Sequence, residues 1–574
     1  MENADVARIF YEVADLLELQ GVAFKPVAYR KAASSLEQLE EPIQKVSESG
    51  RLKEVPGVGE SIVKKVEEIL ATGRLDYLDR LRKEVPSGLK ELVSVPEVGP
   101  KTAMTLYKEL GITDIEHLKE ALLNHKLRDL KGFGEKTEER ILQGIRILES
   151  RGGRMLLGEA YPVAKAYVDY LRSSGILKHV SVAGSLRRGK ETIGDIDILV
   201  GHDDADVATK TFTSYPEVDE VVMSGPTKSS VRLRGGLQVD ARVVATKSWG
   251  AALQYFTGSK EHNVALRSIG VRMGYKLSEY GVFERDSGKL IAGASEEEVY
   301  KVFGMAAMPP EIRENGGELD AAKEGKLPDL VELDHIRGDL HVHTNWSDGS
   351  STIKEVVTAA IKRGYDYVCI SDHSQSLKIA NGMAPEKVRK QLDAVRKAED
   401  EAGGEIRLFT GSEVDIKADG TLDYPNSILK DLDVVIGSVH SRFKMSKDEM
   451  SERIIRAMGS GMMDILGHPT GRVIGQREPY ELDFGKVLAA AKETGVFMEL
   501  NSFPDRLDLR DVHCRLAKEA GVGIAVGTDS HNISHLENMM FGVITARRGW
   551  LEDKDVLNTM GAKGVAARLH GVRG

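Results

Sequence analysis

Apolar positions recur at helical spacing through the first part of the chain. The run Ser61-Ile62-Val63-Lys64-Lys65-Val66-Glu67-Glu68-Ile69-Leu70 is typical, and the period predicts short amphipathic helices. From about Arg154 the pattern turns mixed. Alternation predicts strands over Val180–Ala183, Ile196–Val200, Glu220–Val222, Val231–Arg234 and Gln238–Ala245, with a helical patch from about Trp249. Proline, glycine and charge crowd the stretch from Met308-Pro309-Pro310 to Gly325-Lys326-Leu327-Pro328, which predicts a linker. Beyond it, apolar runs at Tyr367–Ile370, Arg407–Thr410, Val434–Ile436, Ile465–Leu466, Phe497–Leu500 and Gly523–Val526 alternate with helical stretches. Such runs predict buried parallel strands, and their alternation with helices a βα barrel.

Composition narrows the class. A chain of 574 residues is too long for one core and predicts about three or four domains. The two cysteines, Cys369 and Cys514, cannot build a disulfide framework, so a reducing cytoplasm is expected. Met1-Glu2-Asn3-Ala4-Asp5 lacks the basic and apolar regions of a signal peptide, and no apolar run approaches a membrane span. A net charge of −10 argues against indiscriminate nucleic-acid binding, so any DNA contact must come from local patches and backbone amides. Ten of the 15 histidines fall at or after His335, which predicts a separate histidine-rich domain.

The most informative stretch is Gly184-Ser185-Leu186-Arg187-Arg188-Gly189, followed by Gly194-Asp195-Ile196-Asp197-Ile198-Leu199-Val200. Side chains alternate along a strand, so Asp195 and Asp197 are expected on one face. Paired carboxylates repel unless a cation lies between them, and phosphoryl transfer commonly uses a divalent metal there. An exposed acidic strand end would account for Asp-x-Asp alone, but not for the glycines, hydroxyl and guanidinium groups upstream, which suit a triphosphate. Asp240, in Gln238-Val239-Asp240, is the candidate third carboxylate; a salt bridge to Arg242 or Arg232 is its plainer alternative. Tyr255-Phe256-Thr257-Gly258-Ser259 follows, with Asn263 and Arg267 one and two helical turns on.

The amino-terminal part carries an internal repeat. Val55-Pro56-Gly57-Val58-Gly59 is echoed by Val95-Pro96-Glu97-Val98-Gly99 and, more weakly, by Leu130-Lys131-Gly132-Phe133-Gly134. A glycine turn before a helix turns N–H groups outward at the positive end of the helix dipole. Gly57, Gly59, Gly99, Gly132 and Gly134 are therefore candidate contacts to DNA phosphates. The repeats resemble helix-hairpin-helix motifs, although one copy alone could serve packing only.

In this order, Gly-Ser-x-Arg-Arg-Gly, Gly-Asp-x-Asp, the later Asp and Tyr-Phe-Thr-Gly-Ser resemble a family X DNA polymerase over about residues 1–315. The resemblance implies that Asp195, Asp197 and Asp240 hold two Mg2+ or Mn2+ ions and that Asp240 helps activate the primer 3′-hydroxyl. Ser185 and Arg188 would contact the incoming deoxynucleoside triphosphate, and Gly194 would let a phosphate approach. Tyr255 and Phe256 would pack against the sugar beside Gly258, Asn263 would reach the base, and Arg267 the template. Gln238 and Lys260 depart from an arginine and an aspartate of the animal repair polymerase in this family. Gln238 thus removes a cation beside Asp240, and Lys260 alters the grip on the base. Lys65 matches a Schiff-base lyase nucleophile of some members, with Lys25 and Tyr29 at supporting positions and Tyr77 where a lysine would bind a 5′-phosphate. A lysine pair, Lys64-Lys65, on a solvated helix face is its plainer reading.

The histidine-rich half opens on Gly338-Asp339-Leu340-His341-Val342-His343-Thr344. Further ligand-type residues recur just past strand ends: Asp348, His373, Glu413, His440, His468, Asp529 and His531. Strand ends of a βα barrel form its active-site face. Nine nitrogen and oxygen ligands there suit zinc, manganese or iron. The constellation resembles the PHP (polymerase and histidinol phosphatase) domain, with every ligand position filled. The resemblance implies a three-metal hydrolase acting on a phosphodiester or phosphomonoester. Asp372 and Glu499 would support the ligands, and Arg442 or Lys444, otherwise a solvated loop, would hold a DNA phosphate.

The expected fold is a multidomain α/β chain whose order resembles prokaryotic family X repair polymerases. Residues 1–85 would form a helical DNA-binding domain and 86–150 a second helix-hairpin-helix region. Residues 151–248 would form an α+β nucleotidyltransferase palm, 249–315 a thumb-like nucleotide-selecting subdomain, 316–334 a linker and 335–574 a distorted (β/α) barrel of PHP type. The expected activities are gap-filling DNA synthesis and 3′–5′ exonuclease action on gapped or primed DNA, in a cytoplasmic monomer without membrane partners. Abasic-site cleavage and removal of 3′-phosphates would extend them. Alternatives are a phosphatase on small phosphoesters with a DNA-binding delivery module, or a non-catalytic repair scaffold.

Overall fold

The computed structural model describes residues 3–570, apart from positions 21, 23–24, 38, 40, 86–87, 94, 96–97, 131–132, 136, 139, 143–144, 146–153 and 235–236. Gly132 therefore lies outside the described residues. The chain divides into two compact units, Met1–Gly153 and Arg154–Gly574.

The first unit is helical around one apolar core that includes Phe10, Leu36, Ile69 and Leu106. Two of its helices, α1 (Glu60–Thr72) and α2 (Pro100–Leu110), start at Gly59 and Gly99. The glycine repeat builds one turn three times: the Val58, Val98 and Phe133 amides donate to the Val55, Val95 and Leu130 carbonyls. The next helical amides then bond back to Gly59, Gly99 and Gly134. Gly57 takes φ +81, and a Cβ there would lie 3.0 Å from Lys31 Cγ and 3.3 Å from the Ala32 amide nitrogen, so both backbone and space call for glycine.

The second unit opens on a five-stranded sheet in the order β1-β2-β5-β4-β3. Its strands are β1 (His179–Val182), β2 (Ile196–Gly201), β3 (Val218–Ser224), β4 (Lys228–Leu233) and β5 (Gln238–Val244). The short helix α3 (Gly184–Arg187) joins β1 to the β2 region. Parallel pairing sets Asp197 opposite Asp240, and antiparallel pairing sets Ser230 opposite Asp240. Helices α4 (Trp249–Thr257) and α5 (Lys260–Arg272) and a three-stranded antiparallel sheet follow, packed on Leu266, Val299, Tyr300 and Phe303.

The stretch expected to be a linker is built into the structure instead. It carries helix α6 (Glu318–Glu324), whose Leu319 and Ala322 join that same core. Glu318 Oε1 lies 2.6 Å from His262 Nδ1, with both side chains fully buried. Glycine and charge serve here as helix ends and a buried pair rather than as solvated spacer: Gly317 and Gly325 cap α6 in left-handed conformations.

Seven parallel strands follow in sequential order: β6 (Gly338–Val342), β7 (Tyr367–Ile370), β8 (Arg407–Asp415), β9 (Val434–Ser438), β10 (Ile465–Leu466), β11 (Phe497–Asn501) and β12 (Ile524–Gly527). The sheet nearly closes into a barrel. Past the strand ends, the His343 amide donates to the Ser530 carbonyl at 2.8 Å and the Ser530 amide to the His341 carbonyl at 3.3 Å. Intervening helices include α7 (Asp511–Ala520) and, after β12, α8 (Met539–Arg548). Strand residues are buried almost throughout, because the inner core and the helical layer cover both faces.

Candidate active sites

The first site lies at the carboxyl side of α3 and the start of β2. Asp197 and Asp240 face one another from paired strands, and Asp195 stands exposed one residue before β2. Gly184 takes φ +61, and a Cβ there would stand 2.6 Å from Asp197 Oδ2. Burial, with the charges of Asp195 and Asp240 added, pushes the Asp197 carboxyl up to about 6. Asp240 goes the other way. Its burial opposes ionisation, but hydrogen bonds from Lys228, Ser230 and Gln238 hold it below the usual carboxylate range.

Gln238 brings no charge to Asp240, but Lys228 does. Its Nζ lies 2.7 Å from Asp240 Oδ2, while Ser230 Oγ and Gln238 Nε2 donate to Oδ1 at 2.6 and 2.9 Å. Strand pairing brings Lys228 in from β4, which spacing along the chain does not reveal.

Ser185 is half-buried on α3. Arg188 is held by two partners: Nε donates to Glu314 Oε1 at 3.0 Å and Nη1 to the Thr257 carbonyl at 2.5 Å. Gly258 (φ +74) sits under that guanidinium, since a Cβ would meet Arg188 Nη1 at 3.0 Å. Gly194 similarly lies 3.0 Å, by its absent Cβ, from Arg154 Nη1, an arginine that spacing did not single out. Tyr255 and Phe256 make an edge-to-face pair, and the Arg242 guanidinium covers the Phe256 ring at 5.3 Å. Asn263 is pinned: Gln254 Nε2 donates to its Oδ1, and its Nδ2 donates to the Tyr255 carbonyl, each at 2.7 Å. Arg267 Nε donates to the Asn263 carbonyl at 3.2 Å, and Lys260 is exposed. Beneath the site, Glu296 binds Arg187 Nη2 at 2.7 Å and Arg313 Nη1 at 2.5 Å. Burial raises the Glu296 pKa, but the two guanidinium groups outweigh it and hold the carboxyl at about 2.

The second site gathers residues from the carboxyl ends of the barrel strands around Glu413. Glu413 Oε1 lies 2.8 Å from His468 Nε2 and 3.2 Å from His440 Nε2. Oε2 lies 2.9 Å from His373 Nδ1, 3.5 Å from His341 Nε2 and 3.6 Å from His343 Nε2. Asp529 Oδ1 stands 3.2 Å from His343 Nε2, and Asp348 Oδ2 stands 3.4 Å from His531 Nε2 and 3.6 Å from His373 Nε2. His468 (φ +26) and Asp529 (φ +52) both take left-handed backbone, the strain expected where a site over-determines its ligands. A Cβ on Gly527 would fall 2.5 Å from Glu499 Oε1 and 2.7 Å from His341 Cβ.

The donor set fits metal ions. Ligand atoms of His343, Asp348, His373 and His531 lie within 4.8 Å of one another, as do those of His341, His343 and Asp529, and of His373, Glu413 and His440. The Nε2 atoms of His341 and His343 lie 3.1 Å apart, near enough for one cation to accept both when the imidazoles are neutral. Among the described residues, buried His343 Nδ1, His373 Nδ1, His468 Nδ1 and Glu413 Oε2 have no hydrogen-bond partner of good geometry. Electrostatics already favour one protonation pattern. Burial lowers the His343 pKa to about 3, helped by His373. His440 and His531, although half-buried, are pushed up to about 9 by facing carboxylates.

Supporting groups orient the ligands. Glu499 Oε1 accepts from His341 Nδ1 at 2.6 Å, and its Oε2 accepts the His468 amide at 2.5 Å. Asp372 holds the Thr344–Ser347 turn, accepting from both hydroxyls and both amides. Asp415, two residues past Glu413 on β8, lies 2.5 Å by Oδ1 from His440 Nδ1. Asn501 Nδ2 donates to Asp529 Oδ2 at 3.0 Å, and Arg506 Nε lies 3.5 Å from the same oxygen. Alternation along Gly411-Ser412-Glu413-Val414-Asp415 would have flagged Asp415; nothing in the spacing marks Arg506. Arg442 and Lys444 are exposed.

In the first unit, Lys65 Nζ donates to Ser61 Oγ at 2.8 Å and lies 5.3 and 5.9 Å from the Tyr77 and Tyr29 ring centroids. Burial, reinforced by Lys25 and countered by Glu68, holds the ammonium below its usual pKa.

Family models match most of the chain: a helix-hairpin-helix domain over residues 1–75 and a SAM-like helix-hairpin-helix tandem over 89–146. The DNA polymerase beta palm matches 161–241, the DNA polymerase beta thumb 252–314 and the PHP domain 339–503. The DNA polymerase/3′–5′ exonuclease PolX of Bacillus subtilis (strain 168) is 40% identical over 575 aligned residues, covering 99% of each chain. DNA polymerase lambda of Rattus norvegicus is 26% identical over 349 residues, 54% of this chain and 56% of that one. A probable phosphatase of Thermoanaerobacter sp. (strain X514) is 35% identical over 212 residues, 34% of this chain and 78% of that one. The chain belongs to the PolX family of bacterial polymerase–exonucleases, which joins a polymerase beta-like core to a PHP domain. Both halves belong to metal-dependent enzyme families. Among the described residues, no helix is long and apolar enough to cross a membrane.

Proposed function

We propose that the chain fills short gaps in DNA and trims 3′ ends, using deoxynucleoside triphosphates in the first site and a 3′–5′ exonuclease in the second. The observation that carries this reading is the coexistence of two complete residue sets in a chain similar to PolX over nearly its full length. Asp195, Asp197 and Asp240 would hold two Mg2+ or Mn2+ ions, which lower the pKa of the primer hydroxyl and neutralise the triphosphate. Ser185 and Arg188 contact the triphosphate, and Gly194 admits a phosphate. Tyr255, Phe256 and Gly258 shape the sugar pocket, with Asn263 at the base and Arg267 at the template. Lys228 keeps Asp240 ionised before metal arrives.

In the barrel, His341, His343, Asp348, His373, Glu413, His440, His468, Asp529 and His531 would hold up to three Zn2+, Mn2+ or Fe ions, which supply hydroxide at neutral pH. Glu499 and Asp415 fix the imidazole tautomers and ring orientations. Gly57, Gly59, Gly99 and Gly134 turn backbone amides toward DNA phosphates. Lys65, half-buried beside the Tyr29 and Tyr77 rings, is set up for Schiff-base removal of a 5′-deoxyribose phosphate.

A 5′-labelled primer on a short-gapped duplex tests the reading, with Mg2+ or Mn2+ and with or without nucleotides. Extension with nucleotides and shortening without them is expected. Extension without shortening, together with release of phosphate from small monoesters, would favour a phosphatase like the Thermoanaerobacter relative. Borohydride trapping of labelled 5′-deoxyribose phosphate DNA, lost in K65A, tests the lyase.

A further inference from the structure

The back of the Ser185–Arg188 segment, α3 and its C-cap, is closed by the hydrolase domain. Gly189 takes φ +62, and a Cβ there would stand 2.2 Å from Ile544 Cγ2 and 3.8 Å from Arg548 Cδ, both on α8. The Arg548 side chain is 4% exposed. Its Nη1 donates to the Arg188 carbonyl at 2.7 Å, to the Glu311 carbonyl at 3.3 Å and to Glu314 Oε1 at 3.1 Å. Its Nη2 donates to Asp511 Oδ2 at 2.6 Å, on the first residue of α7. Glu314 Oε1 is also the acceptor for Arg188 Nε. One guanidinium thus fixes the Arg188 main chain directly and its side chain through a shared carboxylate.

A buried ion is a costly way to seal an interface, because an apolar side chain would do so without desolvating charge. A planar fork with fixed donors does something packing cannot: it sets the position and orientation of several acceptors at once. We propose that Arg548 is a positioning residue of the polymerase site, through which the barrel holds Arg188 in place for the triphosphate. The inference rests on the reading of Ser185 and Arg188 as triphosphate contacts. It makes the hydrolase domain part of nucleotide binding without using any of its metal-type ligands.

Single-nucleotide insertion into a gapped duplex tests this, with saturating DNA, varied nucleotide and the full-length variants R548A, R548K, D511N, R188A and R188A/R548A. R548A is expected to raise the nucleotide KM about tenfold while lowering kcat less, and R548K to recover part of the loss. D511N frees one end of the fork and is expected to raise KM about threefold. The double variant should be no worse than R188A, because the two residues act as one unit. Shortening of single-stranded DNA should stay within about twofold of wild type throughout. An unchanged KM in R548A overturns the proposal, as does an R548A loss that multiplies in full with that of R188A. If R548A does not fold, unchanged KM in both R548K and D511N overturns it. A wild-type chain that inserts no nucleotide sinks the polymerase reading itself, and this control separates the two failures.

Discussion

Replacing Glu296 with Gln uncouples the two guanidinium groups that it joins. Arg187 comes from α3 behind the triphosphate loop and Arg313 from the segment before α6, and the Arg313 side chain is 1% exposed. The Glu296 carboxyl is held at about 2 against an ordinary 4.5. At about 1.36 kcal/mol per pH unit, that gap amounts to about 3 kcal/mol of stability at neutral pH. The magnitude agrees with the cost of about 3–5 kcal/mol for breaking a buried ion pair by removing one partner. A carboxyl with a depressed pKa contributes fully above its unfolded value of about 4.5 and loses that contribution as pH falls toward about 2. At pH 3 less than half of it should remain. Hydrogen exchange of the Glu296–Val302 helix, compared between wild type and E296Q, reads the local difference directly. E296Q should lose about 3 kcal/mol of protection at pH 7 and less than half as much at pH 3. A difference below about 1 kcal/mol at pH 7, or one that does not shrink in acid, would refute the assigned linkage.

Changing both Asp195 and Asp197 to Ala should abolish primer extension and leave exonuclease action, whereas E413Q should do the reverse; a labelled-primer gel reads both, and joint loss in folded protein would argue against separable sites. K228M should lower the Mg2+ concentration needed for half-maximal extension, since the Lys228 ammonium competes for Asp240 Oδ2, and a metal titration of insertion rate checks it. G57A should weaken binding to gapped DNA and cost about 1–2 kcal/mol of stability, because a Cβ meets Lys31 and Ala32 in a left-handed turn; fluorescence anisotropy at two salt concentrations and urea unfolding measure these effects.

Much of both sites was legible because strand alternation and strand-end position are properties of the chain itself. The pairing of β2 with β5 brings Asp197 and Asp240 face to face, and the barrel order brings the nine histidine and carboxylate residues to one end. The expected helix-hairpin-helix, palm and barrel architecture is present for the same reason. What stayed hidden depends on neighbours distant in sequence. Lys228 reaches Asp240 only through the register of β4 on β5, and Arg548 reaches Arg188 across 360 positions. The helix at Glu318–Glu324 was masked by glycine and charge, which read as linker until His262 provides the buried partner for Glu318.

The barrel seam has a consequence for the order in which the molecule comes into being. His341 and His343 belong to the first barrel strand and its end, whereas Asp529 and His531 follow the last, and the two pairs meet only once the ring has shut through Ser530. During synthesis the strands bearing Asp195, Asp197 and Asp240 emerge long before that closure. A nascent or truncated chain can therefore carry Asp195, Asp197 and Asp240 while lacking the completed ligand cluster of the barrel, and it lacks Arg548 as well. The ligand cluster of the barrel is completed last, when the two ends of the sheet meet.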